Sequence, residues 1–184
     1  MVDRERRKKL ALHLRHLSVG LISNDDFEKK VMNDVTHGWL PEQYYRAKEA
    51  KFDDPIIKPM LELCWCLYSD TKRHKLIGGH KLTDEQLKSI ARYILFLHSN
   101  LEYEWSYIDA TNPLIKLSLK DLLLTIVTLG QNIRNELNKR KQQVKEIEKM
   151  GDIDVYPFFR KQDYEAQLKT HPFLNRQGKA NAQQ

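Results

Sequence analysis

Two cysteines are all that the 184 residues contain, and they stand in one stretch, Cys64-Trp65-Cys66. Side chains two positions apart on a helix point about 200° away from each other, so a helical stretch here cannot close a disulfide. Without further cysteines there is no disulfide framework and no four-thiolate zinc site. Glycine and proline are scarce as well, at 7 and 6, and they fall between periodic segments. A sandwich or barrel would need many more such turn residues, which leaves a helical protein. The longest uncharged apolar run, Leu122–Leu129, is far short of the roughly 20 residues a spanning helix needs. The N-terminus is charged from Asp3 to Lys9 and does not read as a signal peptide. These absences describe a cytosolic chain with reduced thiols and no membrane partner.

What is present is mostly helix punctuation. Leu10, Leu14, Leu17 and Leu21 form one apolar face, and the spacing predicts a helix over about Arg4–Val19, with Gly20 placed for a left-handed C-cap. Ser23-Asn-Asp-Asp26 reads as a capping box, with Ile22 and Phe27 as its hydrophobic staple. It opens a second helix on Phe27, Val31 and Val35. A short helix is expected from Trp39-Leu40-Pro41 to about Ala50. Asp54-Pro55 reads as an N-cap followed by proline at the first helical position. The next helix then buries Ile57, Met60, Leu61, Cys64, Leu67 and Tyr68. After the Thr71–Lys81 loop, Thr83-Asp-Glu-Gln86 is a full capping box for a helix running to about His98. Leu101–Tyr107 alternates like a strand, yet Leu97, Leu101, Trp105 and Ile108 also fit one helix face; helix is favoured, because a lone strand has nothing to pair with.

Ser118–Asp121 repeats the capping signature and starts the longest predicted element, one helix to about Met150. At 1.5 Å per residue it would span roughly 50 Å. Leu123, Gly130, Leu137 and Val144 recur every seven residues, as do Leu119, Ile126, Ile133 and Ile147 apart from Arg140, which breaks the second row. That is the seam of a helix facing one partner helix, which a helix of the same chain or of another chain could cover. An extended stretch, 151–159, docks back on the body, and a short helix follows around Lys161–Lys169. The fold class expected is therefore all-α, a bundle of six to seven helices around the long C-terminal helix at about 118–150, with little or no β structure. One domain covers 1–174, and 175–184 is a disordered polar tail.

Candidate chemistry is thin. Net charge is +6 and the isoelectric point near 9.2, which allows nucleic acid or an acidic protein as partner. Two basic stretches are the nucleic-acid candidates: Arg4–Lys9 with Arg15 continuing it, in which Arg6, Arg7 and Lys8 are singled out, and the loop carrying Lys72, Arg73, Lys75 and Lys81, though neither interleaves aromatics among its cations. His13-x-x-His16 puts two imidazoles on one helix face without a third ligand, and Glu102 and Glu104 read as the polar side of an aromatic segment. No metal site or cofactor motif follows from them. Arg92-x5-His98 resembles the Arg-x(4–6)-His motif of helical HEPN-type ribonucleases. The resemblance implies an Arg92 that stabilises phosphate charge and a His98 that moves protons. Residues six apart on a helix are about 240° out of phase, so the two meet only if the helix ends between them. The function expected is a non-catalytic interaction module that self-associates, or binds another protein, through Leu123, Gly130, Ile133, Leu137, Val144 and Ile147. A small ribonuclease and a nucleic-acid accessory protein are the alternatives.

Overall fold

The computed structural model describes residues 1–44, 47–105, 145 and 149–170. These residues form α1 (Arg4–Ser18), α2 (Asn24–Asp34), α3 (Pro41–Tyr44), α4 (Ile57–Trp65), α5 (Asp84–Leu97) and α6 (Lys161–Thr170), with short 3-10 turns at Glu49–Lys51, Gly78–His80 and Ile153–Val155. Helices dominate and the described residues contain no strand, only an isolated antiparallel bridge between Ser23 and Lys75. The architecture is all-α. No helix among the described residues is long and apolar enough to cross a membrane.

α1 packs against both α2 and α5, and its sequence explains why. Leu10, Leu14 and Leu17 fall on one face and are fully buried. They meet Phe27 and Val31 of α2, Met60 and Leu61 of α4, and Ile90, Ile94 and Leu97 of α5 in one apolar core. The first helix stops where Gly20 takes φ +70°, a conformation that costs a side-chain-bearing residue. Leu21 consequently drops off the predicted face and is 62% exposed. Both capping boxes form as their sequences require. Ser23 accepts from the Asp26 N–H and Thr83 from that of Gln86, with Asp26 and Gln86 reaching back to the cap backbone. Each box satisfies two amide groups that a helix start leaves without partners.

Three local expectations give way to tertiary demands. α3 is a single turn and does not continue to Ala50. α4 begins at Ile57, with Ile56 in the cap position, while the Asp54 carboxylate is gripped by Arg7 and keeps only a long contact of 3.4 Å from the Ile56 N–H. The helix ends at Trp65, leaving Cys64 buried and Cys66 exposed, so only the first of the two thiols belongs to the core. Residues 101–104 carry no regular structure, and Trp105 stands in a bend. The helix favoured for this segment does not form there.

Residues 101–105 instead meet 152–160 over the end of α5. Trp105 Nε1 donates to the carbonyls of Pro157 and Phe158, both at 3.2 Å. The Tyr103 and Tyr156 hydroxyls lie 3.0 Å apart, and Arg160 grips Glu104 with two bonds of 2.7 Å. Phe96 and Phe158 pack edge to face at 5.1 Å, a favoured aromatic geometry. The residues flanking 106–148 are therefore tied to one another. Of the predicted 118–150 helix only Lys145, which is helical, and the turn at Lys149-Met150 are described. Its seam residues, and the tail from 175, lie outside the described residues.

Candidate functional site

Two adjacent arginines on α1 meet two adjacent aspartates before α4. Successive helical residues are rotated by about 100°, so Arg6 and Arg7 reach different surroundings. Arg7 points inward and is fully buried. Its Nε and Nη2 grip the Asp54 carboxylate at 2.6 and 2.9 Å, the bidentate fork that suits guanidinium to carboxylate. Nη1 donates to the carbonyls of Leu101 at 2.8 Å and Ser99 at 3.3 Å, while the Phe96 ring lies 5.3 Å from the guanidinium carbon. Asp54 also accepts from the Asp3 N–H at 2.9 Å. One side chain thus fastens the start of α1, the entry to α4 and the exit of α5.

Arg6 points to the rim. Its guanidinium bonds the Val35 carbonyl at 2.8 Å and reaches Asp53 at 2.7 Å. Asp53 also accepts from the Tyr44 hydroxyl at 2.5 Å and lies 3.0 Å from His37 Nε2. Burial pushes the Asp53 carboxyl upward, but the donors Arg6, Tyr44 and His37 outweigh it and hold its pKa at about 2. Burial, reinforced by the Asp53 carboxylate, pushes the Tyr44 hydroxyl well above its ordinary range. His37 sits at φ +55°, uncommon for a residue with a side chain, so the cluster holds a bent turn in place.

That turn presents apolar groups to solvent. Trp39 and Leu40 follow it by two and three residues, and Phe52 precedes Asp53; they are 41%, 51% and 83% exposed. The His37–Asp53 contact brings their two turns together. Large apolar residues exposed on turns that meet are informative in a way that scattered ones are not.

The other sequence candidates occupy varied places. In the first stretch Arg7 belongs to the core and Arg6 to the rim cluster, whereas Arg4, Lys8, Lys9 and Arg15 are exposed, Lys8 lying 3.4 Å from Glu5. In the second stretch Lys72, Lys75 and Lys81 are exposed, and Arg73 pairs with Asp26 at 3.0 Å. His13 is buried with Nε2 2.7 Å from Asp34, and its Nδ1 is buried without a partner. Burial lowers its pKa even though Asp34 opposes the shift, which suits a neutral ring donating through Nε2. His16 remains partly exposed, and the two imidazoles form no metal pair. Among the described residues no group of three or more His, Cys, Asp or Glu is placed to hold a metal ion. Arg92 donates to the Asp154 carbonyl and lies 3.4 Å from the Ser89 hydroxyl; His98 caps the end of α5.

Sequence reasoning missed Tyr44, Asp53 and Asp54 as a set. The signal was there as two like-charged dipeptides of opposite sign, Arg6-Arg7 and Asp53-Asp54, yet nothing local pairs them. Compared with known proteins, the chain matches no family model, no curated protein and no solved structure. Its function therefore has to be argued from its own residues.

Proposed function

We propose that the protein is a non-catalytic helical interaction module of the cytosol, which associates with a second copy of itself through the seam Leu123, Gly130, Ile133, Leu137, Val144 and Ile147. The observation that carries this reading is the seven-residue recurrence of Leu123, Gly130, Leu137 and Val144, which continues from an apolar first half into a second half that is otherwise mostly charged or polar, a pattern suited to a partner helix. Two features support it. The residues on either side of 106–148 are clasped together by Trp105, Tyr103 and Arg160. The charged groups of the candidate site serve cohesion: Arg7 holds Asp54, Arg6 holds Asp53, and Arg92 holds the Asp154 carbonyl. Trp39, Leu40 and Phe52 offer a second, separate contact surface.

Light scattering across a concentration series tests the proposal. A mass that rises towards twice 21.8 kDa supports it, and a monomer mass throughout rejects it. The ribonuclease alternative has its own assay: RNA cleavage that disappears in His98→Ala would replace the binding reading with a catalytic one.

A further inference from the structure

Between the end of α4 and the loop leading to α5 lies an open depression with a volume of about 310 Å³. Tyr68, His74, His80, Lys81 and Gln86 supply its polar and aromatic lining, over Leu76 and Leu82. No aspartate or glutamate is among the described residues that line it. The imidazoles of His74 and His80 lie with centroids 4.4 Å apart and planes inclined by 39°. His74 Nδ1 is 2.8 Å from the Lys72 carbonyl. A carbonyl only accepts, so Nδ1 carries the proton and Nε2 is the nitrogen left for another partner.

The loop is held in shape from beneath. Asn24, 2% exposed, donates its amide hydrogens to the carbonyls of Lys72 at 3.1 Å and Ser69 at 3.3 Å. Its Oδ1 accepts from the His74 N–H at 2.9 Å, and its own N–H donates to the His74 carbonyl at 3.0 Å. Arg73 Nε donates to the Ser23 hydroxyl at 3.2 Å, and the Tyr68 hydroxyl donates to Glu28 at 3.1 Å. One buried amide therefore fixes the backbone that carries His74, which is more than a solvated loop requires. Lys72, Lys75 and Lys81 remain exposed around this fixed frame.

We propose that this depression binds a phosphate monoester of about mononucleotide size. Its volume falls at the small end of ligand pockets, where a few placed polar groups set specificity. The Lys81 ammonium, the Gln86 amide and a His80 ring N–H are donors suited to phosphate oxygens, the ammonium making the strong charge-assisted kind of bond, while His74 Nε2, with its proton on Nδ1, accepts from a hydroxyl or amine of the ligand. This site is independent of the self-association proposed above.

Titration calorimetry with the full chain tests it, using adenosine monophosphate, inorganic phosphate, adenosine and a short single-stranded oligonucleotide as probes. The monophosphate binds with saturable heat, and adenosine, which lacks the phosphate, binds at least about tenfold more weakly. Lys81→Gln and His80→Asn each weaken the monophosphate roughly tenfold. Both side chains are exposed, so circular dichroism and the melting temperature stay unchanged. Absence of heat with the monophosphate and with inorganic phosphate at millimolar concentration overturns the proposal. So does equal affinity for adenosine, or undiminished affinity in both variants. An oligonucleotide that binds through Lys81 and His80 while the monophosphate does not would make the loop a nucleic-acid surface and overturn the small-ligand reading.

Discussion

Replacing Arg7 by methionine removes the one side chain that bonds Asp54, Ser99 and Leu101 together. Methionine fills much of the same space, so packing loss is small and the cost is chiefly electrostatic. Asp54, 4% exposed, would keep the Asp3 N–H at 2.9 Å and the long contact from the Ile56 N–H at 3.4 Å, with no cation to balance it. Breaking a buried pair by removing one partner costs about 3–5 kcal/mol, whereas an exposed pair is worth about 0–1 kcal/mol. The two carbonyls that lose a donor push the total towards the upper end of that range. Arg7→Lys keeps the charge but cannot make the planar fork, and falls between the wild type and Arg7→Met. Arg7→Met with Asp54→Asn recovers part of the loss, because no uncompensated charge remains buried. Urea unfolding near neutral pH, followed by far-ultraviolet circular dichroism, measures all four proteins. The Arg7→Met cost should change little between low and high salt, since buried pairs are poorly screened. A cost under about 1 kcal/mol, or one that salt halves, would refute the placement of Arg7 in the core.

Other outcomes follow from the same geometry. Asp53 is held at about 2 in the folded protein, below its unfolded value near 3.8. Its contribution is therefore fully present above the unfolded value and lost as pH falls through about 2. Asp53→Asn should cost about 1 kcal/mol near neutral pH, and the gap to wild type should close in acid unfolding curves as pH approaches 2. Gly20→Ala should cost about 1–2 kcal/mol through the left-handed backbone. The new Cβ would also crowd Ile77 Cγ2, but Ile77 is 56% exposed and can turn aside, so backbone strain dominates. Thermal melts of Gly20→Ala and Gly20→Asn separate the terms, since asparagine tolerates this conformation better.

The parts of the fold that were legible in the sequence are those set by neighbours a few residues apart. Ser23–Asp26, Thr83–Gln86 and Gly20 mark their helix ends through bonds within one turn. The apolar faces of α1 and α2, Leu21 apart, follow from residue spacing alone. What stayed hidden depends on distant partners. Arg7 and Asp54 are 47 positions apart; locally, Arg7 reads as one of a solvated basic run and Asp54 as a helix cap. Leu101–Trp105 satisfied two periodicities, and the choice was made by the 152–160 segment, whose carbonyls and rings receive Trp105 and Tyr103. Of the candidate sites, the basic loop could be named from composition, but the frame that Asn24 builds beneath it could not. An asparagine inside a capping box has its local explanation already.

The central claim, association through the seam of 119–147, is tested most directly by sedimentation equilibrium on the wild type, Leu137→Asp and Phe52→Asp. The account predicts a concentration-dependent dimer for the wild type and for Phe52→Asp, and a monomer for Leu137→Asp with its circular dichroism spectrum retained. A wild-type monomer at tens of micromolar, or a Leu137→Asp protein that still dimerises, would contradict it.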